Sequence, residues 1–483
     1  MPATTEYDVI VIGAGAVGEN VADRAAQGGM RTVIVEAELV GGECSYWACI
    51  PSKTLLRSSA ALRAAQRVGG AREAVTGPLD VAAVLRRRDY MTSDWKDDGQ
   101  VKWLEGAGID LVRGWATISG PREVTVTDED GGTVVLTAKH AVAVCTGSAA
   151  LLPDIPGLRE SEPWTSRDAT SVQRVPVSLA ILGGGTVGTE MATAYAGFGT
   201  EVHLIARHGL LGSEEPFAGE RVTAALKELG VTMHLDVTTE SVERTEDDRF
   251  RIRLGDGSTV ETDELLVATG RLPRTSGLGL QSFGLEDGGW LTVDDSMRVL
   301  DAAGEPVGGG WLYAAGDVNH RALLTHQGKY QARAAGDAIA ARAKGHEVSL
   351  APWGAFVATA DHQAVPQVTF TEPEVASVGL TAAAADKAGY RTRVVDYPIG
   401  SVSGAYVLAD DYDGMARMIV DEDRGVVLGA TFVGQDIGEL LHSATVAIVG
   451  EVPLDRLWHA VPSYPTVSEV WLRLLETYGR PEK

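Results

Sequence analysis

Cysteine is scarce in this chain, with 3 in 483 residues, and aromatics make up only 6%. No apolar run reaches the ~18 residues that a membrane span needs. Positive charge is also short: 42 Lys and Arg face 66 Asp and Glu, for a formal net charge of −24. Such a surface repels phosphate backbones and anionic lipid, which excludes nucleic acid and membrane as partners. No second cysteine pair or histidine cluster lies near the two close cysteines to complete a zinc site, so no metal is expected. The start, MPATTEYDVIVIGAG, has no basic segment ahead of its apolar residues. It therefore reads as a strand and not a secretory signal, and the cytoplasm is the expected compartment.

Glycine, by contrast, is plentiful at 57 residues, many of them at strand-to-helix turns. Residues 7–12 read as a buried strand, followed by Gly13, Gly15 and Gly18 as G-x-G-x-x-G and a helical pattern to about Gln27. A second strand, residues 32–35, ends at Glu36. This is the dinucleotide fingerprint in its required setting. The glycines let a pyrophosphate approach the helix N-terminus, and the acid binds ribose hydroxyls. The pattern recurs after residues 179–182 with Gly183, Gly185 and Gly188, on a helix carrying Glu190. Here the next strand, residues 201–205, leads to Arg207 and His208 with no acid at its end. An arginine at this place can pair with a 2′-phosphate, which favours NADPH, with NADH as the other candidate. Two such sites suggest one held flavin and one exchanging nicotinamide.

Two of the three cysteines, Cys44 and Cys49, fall in GGECSYWACIPSK, Gly41–Lys53, just after the first fingerprint. In a reducing compartment a close pair is more often catalytic or metal-binding than structural. Its position points to electron exchange with the first cofactor, which would be the flavin. Pro51 suits a first helical turn, so Cys49 falls near a helix N-terminus, which favours a thiolate. Tyr46 and Trp47 either stack on an aromatic acceptor or pack into the domain, with packing the default.

These motifs together make the chain resemble the flavoprotein pyridine nucleotide–disulfide oxidoreductases, the group of glutathione reductase, dihydrolipoyl dehydrogenase, mycothione reductase and mercuric reductase. The resemblance also rests on ATGRLP (Ala268–Pro273), YAAGDV (Tyr313–Val318) and VTFTEPEVASVGLT (Val368–Thr381). It implies an α/β fold: two Rossmann-like dinucleotide-binding domains plus a C-terminal α+β dimerisation domain. The FAD domain would be residues 1–150 and 271–346, the NAD(P) domain 151–270, and the dimerisation domain 352–483, in a homodimer. It implies that Cys49 faces the flavin, that Cys44 attacks the substrate, and that the pair cycles between disulfide and dithiol. Lys53 and Glu190 match an ion pair beside the flavin ring, with a salt bridge that only joins domains as the plainer alternative. Asp317 matches a ligand of the ribityl hydroxyls. Gly147 and Gly316 would admit the cofactor to the backbone, and Gly42, Gly270 and Arg271 fall in matched cofactor-binding motifs. Cys145 reads as a small buried residue.

The far end departs from the pattern. The family's disulfide reductases carry His-Pro-Thr-x-x-Glu, whose histidine serves as acid and base for the thiols and whose glutamate orients the ring. Here Tyr464 stands in the histidine's place and Glu469 in the glutamate's. A phenol titrates near ~10 and an imidazole near ~6.5, so Tyr464 is a poor base at neutral pH. Glu43 stands where threonine is usual, and Arg274 where asparagine is frequent. The expected function is an FAD-dependent NAD(P)H oxidoreductase with a redox-active Cys44–Cys49 disulfide and a small-molecule acceptor such as a quinone. Its rivals are a reductase of a lipoamide- or mycothiol-type disulfide, a dithiol oxidase using Tyr464, and a non-catalytic flavin-binding interaction subunit.

Overall fold

The computed structural model describes residues 4–480, which divide into two compact units. The first takes in the chain to Pro51, then Asp89–Ala150 and Arg271–Asp361; the second takes in Ser52–Arg88, Leu151–Gly270 and the chain from His362.

The first unit is built on a seven-stranded sheet. Its parallel part runs β3 (Asp110–Arg113), β2 (Thr32–Glu36), β1 (Thr4–Ile12) and β6 (Thr133–Val144), with Leu312–Ala314 also parallel to β6. An antiparallel hairpin, β4 (Trp115–Gly120) and β5 (Glu123–Thr127), extends the edge. Val9, Ile10, Val11 and Ile12 of β1 are buried, as a strand covered on both faces requires. Helix α1 (Ala16–Gln27) packs on the helix Thr325–Ala343 through small residues. A Cβ on Gly336 would lie 2.5 Å from Arg24 Cβ, and one on Gly328 would lie 2.6 Å from Val17 Cγ2. Arg24 then pairs with Asp337 across the seam at 2.8 Å.

The second unit holds a four-stranded parallel sheet in the order Thr232–Leu235, Glu201–Ala206, Ser178–Leu182, Glu264–Val267. It also holds a five-stranded antiparallel sheet in the order Pro366–Thr369, Glu374–Gly379, Val426–Gly434, Met415–Asp421, Thr392–Pro398. Val426–Gly434 is buried along its whole length, at the centre of that sheet. The helices Leu441–Val449 and Val470–Tyr478 lie against it. The expected α/β architecture with two Rossmann-like sheets and an antiparallel C-terminal sheet is therefore present. Among the described residues no helix is long and apolar enough to cross a membrane, and no group of three or more His, Cys, Asp or Glu could hold a metal ion.

Candidate active site

The two fingerprints have the same geometry. Gly13 has φ 98°, and a Cβ there would lie 2.5 Å from Cys145 O; one on Gly18 would lie 1.8 Å from Gly13 O. In the second unit Gly183 has φ 119° with Ala268 O at 2.3 Å, and Gly188 would meet Gly183 O at 1.9 Å. Each turn thus excludes any side chain at its first and third glycine. Gly15 and Gly185 are the N-caps of α1 and of the helix Thr186–Gly197, and neither offers a side-chain cap. A Cβ on Gly185 would meet nothing within 4 Å. At Gly15 the nearest atom to such a Cβ is Gly42 Cα, at 3.9 Å. Helix N-termini left uncapped by side chains fit a pyrophosphate, so these residues suit the two dinucleotides. Glu36 accepts hydrogen bonds from Ala14 N (2.6 Å) and Glu38 N (2.8 Å), and burial raises its carboxyl above the usual range.

The cysteine segment docks directly on the first fingerprint. Gly41 pairs with Gly15, and a Cβ on Gly42 would lie 2.7 Å from Gly15 Cα. Cys44 lies in the short helix α2 (Gly42–Tyr46), and Cys49 is the first residue of α3 (Cys49–Gln66), with Pro51 in its opening turn. The structure holds both as thiols. Cys44 hydrogen-bonds Cys49, and that bond together with burial pushes the Cys44 thiol well up, while the Thr325 hydroxyl and the charge of Lys329 pull the other way. Cys49 Sγ also lies 3.2 Å from Thr325 Oγ1, at the N-terminus of the helix Thr325–Ala343. Cys49 is therefore placed at two helix N-termini, a setting that favours its thiolate. Thr325 was not singled out from sequence; its one local signal is a hydroxyl residue at a helix start.

Tyr46 packs inward, 1% exposed, donating to Val40 O at 3.1 Å, and its ring meets Trp47 edge-on at 5.7 Å. Two of the residues that depart from the family pattern meet: Arg274 Nη2 lies 3.4 Å from Glu43 Oε1, and Arg274 Nη1 lies 3.5 Å from Glu38. Arg271 reaches the same carboxylate at 3.9 Å and donates to Ser148 Oγ at 2.5 Å. Ser148 in turn donates to Asp317 Oδ2 at 2.5 Å. Gly316 (φ 81°) and Gly147 (φ 72°) both adopt left-handed backbone, and a Cβ on Gly147 would meet nothing within 4 Å. Cys145 is buried, which pushes its thiol up to about 12.

A buried acid also escaped the sequence reading. Glu19, on the first turn of α1, has Oε1 buried without a hydrogen-bond partner, and burial lifts its carboxyl from 4.5 to about 7, opposed by Lys329 and reinforced by Glu36. A carboxyl raised in this way keeps its proton when folded at pH values where the unfolded chain has lost it. Its contribution to stability therefore falls as pH rises from about 4.5 through 7. Glu19→Gln should stabilise the protein at pH 8 by about 2 kcal/mol and leave it unchanged at pH 4. Thermal melts at the two pH values check this.

In the second unit Lys53 Nζ lies 2.7 Å from Glu190 Oε2, and the Glu190 side chain is only 3% exposed. Glu190 Oε1 accepts from Phe370 N at 2.9 Å, and Lys53 Nζ sits 5.0 Å from the centre of the Phe370 ring. Both oxygens of the buried carboxylate are thus used, which fixes the lysine's direction. Arg207 and His208 are exposed just past the strand Glu201–Ala206.

At the C-terminal end Tyr464 is 74% exposed and Glu469 is buried. The structure does not join them by a hydrogen bond. Arg473, one turn further on, donates to Glu469 Oε1 at 2.6 Å, while Oε2 is buried without a partner. His459 is exposed.

Residues 7–341 match the pyridine nucleotide-disulphide oxidoreductase family, and residues 365–474 match that family's dimerisation domain. The chain belongs to this family. As a pyridine nucleotide-disulphide oxidoreductase it is a flavin enzyme of the dihydrolipoyl dehydrogenase and mercuric reductase type, in a family that binds FAD and uses NAD(P)H. It is 32% identical to a dihydrolipoyl dehydrogenase of Haloferax volcanii, over 98% of this chain and 96% of the relative. It is equally 32% identical to a mercuric reductase of Streptomyces lividans, over 99% and 97%. Among solved structures, LpdA from Mycobacterium tuberculosis superposes with a TM-score of 0.82 at 24% identity, covering 99% of this chain and 100% of that one. The flavoprotein disulfide reductase RclA from Escherichia coli also scores 0.82, at 23% identity, over 98% and 99%. These two establish likeness of fold. The dimerisation domain supports a homodimer.

Proposed function

We propose that this enzyme oxidises NADPH through FAD and delivers the electrons to a small quinone-type acceptor, with Cys44 and Cys49 as a redox-active pair beside the flavin. Bound FAD would supply the two-electron step between the nicotinamide and either the cysteines or the acceptor. Gly13, Gly15 and Gly18 would admit its pyrophosphate to α1, Glu36 would bind its ribose, and Asp317 would bind its ribityl chain. Lys53, aimed by Glu190, would hold a positive charge beside the flavin ring and so favour its reduced form. Cys49 would present a thiolate, held by Thr325 and the helix N-termini, and Cys44 would carry the exchangeable thiol.

The observation that carries the choice of acceptor is at Tyr464. It is exposed, its pattern partner Glu469 is engaged by Arg473, and a phenol is a weak base at neutral pH. Thiol–disulfide exchange needs a proton handler at Cys44, whose thiol is strongly held in its protonated form. Transfer from flavin to a quinone does not use the thiols. The reading is tested by NADPH oxidation with menadione, oxidised lipoamide and low-molecular-weight disulfides: menadione should be turned over fastest, and a faster disulfide would refute it.

Arg207 is the residue on which the NADPH preference rests. Arg207→Ala should raise the KM for NADPH by at least about tenfold, the loss of a charge-assisted hydrogen bond, with no change for NADH. Steady-state kinetics with both nucleotides check it.

A further inference from the structure

In a chain of net charge −24, one cavity of the first unit is basic. It measures about 300 Å³; Arg122, Lys139, His140 and Arg342 line it, the run Gly308–Gly310 forms one wall, and no carboxylate is among its lining residues. It lies away from the fingerprint. β6 enters it at Lys139–Ala141, where Ala141 pairs with Val9, whereas Gly13 follows the other end of β1, where Ile12 pairs with Val144.

Glu6 (3.2 Å) and Asp8 (3.8 Å) pair with Lys139, whose charge is thus largely compensated, and Asp8 lies 4.0 Å from His140. Arg122 and Arg342 are not. Arg342 donates to two uncharged oxygens, Tyr313 Oη and Ser296 Oγ, both at 2.9 Å. Arg122 Nη1 donates to the carbonyl of Lys139 at 3.1 Å, and no carboxylate pairs with it among the described residues.

The backbone of Arg122 is a second, independent sign. Pro121 and Arg122 form the two-residue turn between β4 and β5, and Arg122 has φ 63°. With proline first, this is the pattern of a type II turn, whose second central position belongs to glycine or asparagine. A long cationic side chain there costs about 1 kcal/mol or more of backbone strain, and such strain gathers at functional sites. Gly309, another lining residue, has nothing within 4 Å of the place a Cβ would take.

We propose that this cavity binds a small, multiply charged oxyanion, a phosphate ester or a polycarboxylate. Arg122 and Arg342 supply the uncompensated charge, and the left-handed turn holds Arg122 against β6.

The test is calorimetric titration of the FAD-loaded protein, saturated with NADP⁺ so that both dinucleotide sites are filled, with pyrophosphate and separately with citrate at low salt. Saturable one-site binding of at least one of them is expected, and which one binds distinguishes phosphate from carboxylate ligands. Arg122→Gly suits the backbone, so that variant should melt no lower than the parent while binding the anion at least about tenfold more weakly. Lys139→Gln, compensated by Glu6 and Asp8, should bind nearly as well as the parent. No saturable heat from either anion, or undiminished binding by Arg122→Gly, would overturn the proposal.

Discussion

Cys44→Ser is expected to abolish turnover of oxidised lipoamide and to leave menadione turnover within about threefold of the parent. Cys44 is the proposed exchangeable member of the pair: it is hydrogen-bonded to Cys49, while Cys49 is held by Thr325 at the start of two helices. Serine can still make that hydrogen bond but cannot form a disulfide, so every route through the pair closes. A route from flavin to quinone stays open. Steady-state NADPH oxidation with the two acceptors reads both effects. Loss of menadione turnover in parallel with lipoamide would mean that all electrons pass through the cysteines.

Tyr464→His should raise oxidised-lipoamide turnover by at least about 100-fold, the lower bound of what a positioned acid and base supplies. Glu469 Oε2 is buried and unpartnered, so an imidazole at position 464 has a carboxylate oxygen available to it while Arg473 keeps Oε1. The variant's rate should also acquire a pH dependence near ~6.5 that the tyrosine enzyme lacks. Menadione turnover should not change. A disulfide rate that stays flat in the variant would show that a group other than residue 464 limits exchange.

The sequence made some parts of this molecule legible because their physics is local. Gly13 and Gly18 are required by clashes with backbone a few residues away or in the adjoining strand, so the fingerprint reads directly. The start of α3 at Cys49, with Pro51 in its first turn, follows from the proline's missing N–H. The Lys53–Glu190 contact was expected only through the resemblance, since nothing local joins residues so far apart. Partners without any pattern stayed hidden. Arg274 and Glu43 each looked like an unexplained departure until the fold brought them within 3.4 Å. Thr325 beside Cys49 is likewise a long-range contact. The case of Glu469 is different: its family role was read from a motif, but Arg473, which holds Oε1 from the next helical turn and leaves Oε2 free, is no part of that motif. An i, i+4 Glu–Arg pair is a readable helix signal.

On the proposed function the Cys44–Cys49 pair is redox-active and in electronic contact with bound FAD, although disulfide exchange with substrate is slow. Anaerobic reductive titration of the holoenzyme tests it most directly, because flavin alone takes two electrons and a linked disulfide takes two more. Four electrons per FAD in the parent, falling to two in Cys44→Ser, is the predicted result; two electrons per FAD in the parent would contradict it.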